Sequence, residues 1–159
     1  AVEWLLAHPE TLEQREYPDA PLTRGRFVGL LYAAAGSPAA AAEAGFQDLL
    51  GIAWFLPAVN WAAETGVTGG TAEGAFAAAR HLTWQEAAVF LVRTVEALGL
   101  EPEAVRTAPL PDALAEGAWD QTALELAWEW GLLPEDAGSA AEIARVQGGA
   151  MADAFAALL

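Results

Sequence analysis

The sequence has no cysteine, which excludes disulfides, thiolate metal sites and cysteine nucleophiles together. It has no lysine either: its seven basic residues are all arginine, against 22 acidic ones, for a net charge of −15. Such a chain repels nucleic-acid phosphates and anionic lipid surfaces, so nucleic acid is excluded as a partner. Long hydrophobic runs are also missing, and no stretch reaches the about 18 uncharged apolar residues that a membrane-spanning helix needs. Only two histidines occur, His8 and His81, neither with a carboxylate at metal-ligand spacing. They read as incidental, and no metal or other cofactor is expected. Gly-x-Ser-x-Gly, a phosphate-binding glycine loop and the alternating acids of a calcium loop are all absent, so no enzyme is expected.

What is present is packing material. The 159 residues suit one domain with a proper core, and 55% of them are hydrophobic. Roughly a quarter are alanine, the best helix former, which points to an all-α fold. The segment Ala1–Leu12 lacks a basic start and carries Glu3, Trp4 and His8, so it does not read as a signal peptide. The chain opens inside what reads as a helix, so an upstream portion is expected.

Internal similarity organises the rest. Trp54, Ala58, Val59, Ala62, Gly66 and Val67 are answered 65 residues later by Trp119, Ala123, Leu124, Ala127, Gly131 and Leu132, without a gap. An earlier copy starts at Ala1-Val2-Glu3-Trp4, which matches Ala58-Val59-Asn60-Trp61. Each copy is followed by a second segment: Leu22-Thr23-Arg24-Gly25-Arg26, then Leu82-Thr83-Trp84-Gln85-Glu86, then Ile143-Ala144-Arg145-Val146-Gln147. This gives three units, at about residues 1–36, 46–98 and 110–159, of one domain spanning residues 1–159.

One unit reads as helix, loop, helix. Trp54, Ala58, Trp61 and Ala62 form an apolar stripe that Gly66 ends with a left-handed cap. Thr83 stands at an N-cap with Glu86 three residues on, a capping box that opens a second helix. Ala87, Phe90, Leu91, Val95 and Leu98 continue as its buried face. Neither helix buries its stripe alone, so the units must pack on each other.

These motifs resemble the S-layer homology family, whose repeats run Phe-x-Asp, a Trp-Ala helix, Gly-Ile-x-x-Gly, Asp-Gly-x-Phe and a closing Thr-Arg-Ala-Glu. The second copy carries Phe46-Gln47-Asp48, Trp54, Ala58-Val59, Gly66-Val67, Gly69, Glu73-Gly74, Phe76 and Leu82-Thr83-Trp84-Gln85-Glu86. The first supplies Tyr17-Pro18-Asp19-Ala20-Pro21-Leu22-Thr23-Arg24, and the third Leu110-Pro111-Asp112 and Trp119. The resemblance implies a pseudo-threefold helical bundle on the bacterial cell surface, with second helices meeting around Leu31, Leu91 and Met151. It also implies grooves that bind cell-wall-linked polysaccharide, with a pyruvylated sugar as a frequent ligand.

In that family the arginine of Thr-Arg-Ala-Glu meets the ligand carboxylate, a position held here by Arg24 and Arg145 and, in the second copy, by Trp84. A cation in the first turn of a helix opposes the helix dipole by roughly 0.3–1 kcal/mol, which an adjacent anion relieves. The expected ligand-binding set is therefore Arg24, Arg145, Trp84, Gly69 and Gly70. Trp4, Trp54, Trp61, Trp119 and Trp128 sit on helical stripes and read as core, whereas Trp84 reads equally well as core or as an exposed aromatic. Glu125 and Glu129, one turn apart, read as a solvated face. The expected function is a non-catalytic surface anchor. The alternative is a module for protein–protein assembly in a surface layer, filament or virion-like structure, with a neighbouring structural protein as its partner.

Overall fold

The computed structural model describes residues 20–39, 46, 56–69, 74–116, 120–138 and 142–159. Trp4, His8, Trp54, Gly70 and Trp119 lie outside the described residues, and with them the expectation that Trp54 and Trp119 occupy equivalent buried places. The fold is all-α. Six helices occur among the described residues: α1 (Arg24–Ala34), α2 (Leu56–Glu64), α3 (Trp84–Ala97), α4 (Asp112–Ala115), α5 (Gln121–Glu129) and α6 (Arg145–Ala156). Extended pairing among these residues is limited to two isolated bridges, Pro21 with Ala144 and Thr23 with His81.

The helix starts follow their capping chemistry in graded fashion. At α3 the box is complete: Thr83 Oγ1 accepts from the Glu86 amide at 3.2 Å, and Glu86 Oε1 accepts from the Thr83 amide at 3.3 Å. At α1 Thr23 Oγ1 accepts from the Arg26 amide at 3.3 Å, but arginine stands where glutamate closes the box. At α6 alanine supplies no acceptor, and only the returning half survives, with Gln147 Oε1 accepting from the Ala144 amide at 2.9 Å.

Among the described residues, matched positions 65 residues apart share their burial. Ala58 and Ala123, Val59 and Leu124, Ala62 and Ala127, and Val67 and Leu132 are all buried. Gly66 and Gly131 end α2 and α5 with φ of +82° and +73°, the left-handed conformation that favours glycine. Just beyond them the amides of Thr68 and Leu132 turn back to the carbonyls of Ala62 and Ala127.

Packing crosses between the copies. The second helix of one lies on the first helix of the next: α1 on α2, and α3 on α5. Helix α1 also touches α3 and α6. Leu31, Leu91 and Met151 are fully buried in one continuous core. At its head the residues preceding the three caps, Leu22, Leu82 and Ile143, are buried and joined through the backbone. Leu82 N donates to Leu22 O at 2.9 Å, and Leu22 N to Ile143 O at 2.8 Å.

Gly148 shows how tight this head is. A β-carbon there would stand 2.6 Å from Leu22 Cδ2, so the position where the related repeats carry a larger residue is filled here by Leu22. Gly148→Val is expected to lower stability by about 1–3 kcal/mol in a urea titration, although it removes the helix penalty of glycine. An unchanged midpoint would mean that Leu22 yields freely. Leu124→Ala, in the fully buried part of α5, should cost about 2–5 kcal/mol in the same titration.

Candidate functional site: a charged junction at the start of α1 and α3

Arg24 is the first residue of α1, yet its side chain is only 6% exposed. Its guanidinium leaves its own helix, pairs with Glu86 on α3 and donates from Nε to Phe76 O at 3.0 Å. The Cζ atom lies 5.1 Å from the centroids of both Phe76 and Phe90, so two aromatic faces cover the cation. A buried cation needs this many partners, because desolvation otherwise costs several kcal/mol.

Glu86 is the hub. Its Oε1 closes the cap of α3 and accepts from Thr83 Oγ1 at 3.1 Å, while its Oε2 receives both Arg24 and Arg80. Burial pushes its carboxyl up, but Arg24, Arg80 and the Thr83 amide together outweigh that and hold it below the usual carboxylate range.

The backbone follows the same path. Arg24 N donates to Arg80 O and Gly25 N to Ala78 O, each at 3.0 Å. The first three amides of α1 therefore have acceptors within the protein, the third being Thr23 Oγ1. The dipole penalty of an arginine in the first turn is met here by Glu86, an anion of the chain itself.

Beside this junction lies an open concavity of about 470 Å³ lined by Arg80, His81, Thr83 and Glu86. The Arg80 side chain is 54% exposed and reaches solvent, whereas Arg24 lies beneath. His81 Nδ1 meets Glu142 Oε1 at 3.1 Å across the mouth toward the third copy. Chemically, the concavity offers a guanidinium, an imidazole and a hydroxyl around one carboxylate. Among the described residues no group of acids and histidines is placed to hold a metal ion.

The other expected site residues are scattered. Arg145 is half-buried at the start of α6, at a different junction, where its amide donates to Ala20 O at 2.9 Å. Trp84 is 7% exposed and belongs to the core, which decides between its two readings. Gly69 is exposed on the loop after α2. Glu125 and Glu129 are exposed, with Gln121 Nε2 donating to Glu125 at 2.9 Å. Arg80 and Glu86 were not foreseen as site residues. Glu86 was visible as a capping residue, and that local role masked its long-range one.

Two outcomes follow from the buried pair. Arg24→Ala should cost on the order of 3 kcal/mol in stability, since it strips a half-buried carboxylate of one of its two cations. Because the folded-state pKa of Glu86 lies below its ordinary value, its contribution is complete above that value. It is lost as the pH falls through the folded-state pKa. Below about pH 4 the urea midpoint of the wild type should therefore fall more steeply than that of Glu86→Gln. Parallel acid limbs would contradict the assignment.

No curated protein and no solved structure matches the chain. Residues 45–88, which include Arg80, His81, Thr83 and Glu86, match the model of the S-layer homology domain. Such domains are non-catalytic binding modules that hold proteins at the cell surface, generally on cell-wall polymers. No helix among the described residues is long and apolar enough to cross a membrane. Residues 45–88 of the chain are thus similar to the S-layer homology domain.

Proposed function

We propose that the chain is a wall anchor that binds an acidic, cell-wall-linked polysaccharide, such as one carrying pyruvylated sugars, in shallow grooves at the junctions between copies. One observation carries this reading: the concavity with the half-exposed Arg80 lies within the segment that matches the family. The net charge of −15 repels an acidic polymer at long range, so affinity has to come from donors placed in contact with it. Arg80 is the donor presented at this groove, with Arg24 beneath it holding Glu86 in place. Arg145 is the corresponding cation at a second junction, and Gly69, on the loop after α2, is a backbone contact together with Gly70, the next residue in sequence. Trp84 serves by packing in the core at the start of α3.

The alternative, protein–protein assembly in a surface layer, filament or virion-like structure, has its own support. The cation that the family pattern directs at a ligand is turned inward here at Arg24.

Sedimentation with purified bacterial walls, intact or stripped of their secondary polymer, separates the two. Anchoring predicts retention on intact walls only, weakened about tenfold by Arg80→Gln, the loss of one charge-assisted hydrogen bond. Equal retention on stripped walls, or none on either together with self-association in solution, would transfer the function to assembly.

A further inference from the structure

Two acids of the chain itself engage the concavity beside Arg80, and they are placed very differently. Glu86, in its lining, is settled. Its side chain is 12% exposed, and both oxygens are engaged, one by the cap of α3 and the other by Arg24 and Arg80. Glu142 comes from the third copy, two residues before Ala144, the N-cap of α6, and its side chain is 62% exposed. His81 stands at the equivalent place, two residues before Thr83, so matching positions of the second and third copies meet across the mouth. An ionised glutamate only accepts, so the imidazole Nδ1–H donates to Glu142 Oε1 at 3.1 Å.

The two ends of that contact are held unequally. The backbone at His81 is paired with Thr23 of the first copy, and Leu82 after it donates to Leu22 O at 2.9 Å. The Glu142 carboxylate has His81 as its one hydrogen-bond partner among the described residues. A solvent-exposed pair of this kind contributes little to stability, so exchanging one carboxylate for another on the imidazole costs little. Each lining donor side chain is thus engaged by an acid of the chain, Arg80 and Thr83 by Glu86 and His81 by Glu142. Releasing Glu86 would uncap α3 and strand the buried Arg24, whereas releasing Glu142 disturbs neither. While it stays, Glu142 also opposes an incoming anion by like-charge repulsion at contact distance.

We infer that Glu142 is an internal competitor, whose carboxylate holds on His81 the place that an acidic ligand of the concavity takes, and which thereby sets the affinity and specificity of that site. The inference rests on the proposed binding of an acidic sugar at the Arg80 concavity and adds to it a residue that acts from outside the lining. Binding is an exchange: one carboxylate leaves His81 as another arrives, while the Arg24–Glu86 pair and the cap of α3 stay as they are. Neutral sugars are selected against, because a hydroxyl accepts a weaker hydrogen bond than the carboxylate it would have to displace.

NMR titration of the full chain with glucuronate, at neutral pH and fixed ionic strength, follows the exchange on the His81 ring protons, with glucose as the neutral probe. Glu142→Gln keeps an acceptor for the imidazole and removes the charge. Its circular dichroism should match wild type, and it should bind glucuronate about fivefold more tightly. Glu96→Gln, exposed on α3 roughly 15 Å further along the helix than Glu86, changes net charge equally and should bind like wild type. Glucose should leave the His81 signals in place. Equal or weaker glucuronate binding by Glu142→Gln, the same gain in Glu96→Gln, displacement by glucose at equal concentration, or no glucuronate binding by either protein would overturn the inference. Sedimentation on intact walls keeps it apart from the anchoring reading. If wild type is retained and Glu142→Gln gains nothing on glucuronate, anchoring stands and the competition falls. If Glu142→Gln gains on glucuronate and neither protein is retained, the competition stands and anchoring falls.

Discussion

A guanidinium withdrawn from water at Arg24, and the carboxylate of Glu86 that receives it, is the constraint around which this end of the molecule is arranged. The pair spans 62 residues of sequence and joins the start of α1 to the start of α3. Because Arg24 is also covered by Phe76 and Phe90, the loop before α3 is drawn against α1. That loop returns its carbonyls at residues 78 and 80 to the first amides of α1. Glu86 is then fixed from two sides, by the arginines and by the cap of its own helix. Removing either partner affects a helix start, a loop and the floor of a surface groove at once, so neither substitution is purely local.

The same economy governs the helices. The second helix of one copy rests on the first helix of the next, so the hydrophobic stripes are satisfied between copies. A chain built this way gains its core only when the copies assemble, and its backbone joins at Leu22, Leu82 and Ile143 fix their registration. Small residues at this head are part of that registration, as Gly148 under Leu22 illustrates. The concavity lined by Arg80, His81, Thr83 and Glu86 sits at one such junction, so divergence there changes packing and the groups presented to solvent together.

Much of the fold was legible in the sequence because its signals are local and repeated. The 65-residue offset located Gly66 and Gly131, both of which take the left-handed conformation that ends a helix. The Thr83–Glu86 box located the start of α3. The site was less legible, because side-chain direction depends on partners distant in sequence. Nothing near Arg24 in the chain says that its guanidinium turns inward, since Glu86, Phe76 and Phe90 all lie in the next copy. Trp84 left two readings open for the same reason, and burial settled them. Arg80 belongs to no motif; it matters because Glu86 gathers it beside a cavity.

The account stands or falls on whether Arg24 and Glu86 act as one unit. A double-mutant cycle on urea unfolding, with Arg24→Met, Glu86→Gln and the pair together, measures that directly. The account predicts a coupling energy of about 1–3 kcal/mol at neutral pH, shrinking once Glu86 is protonated. Additive effects within about 0.5 kcal/mol would show that the two side chains stabilise the protein independently and that the junction is not organised around their pairing.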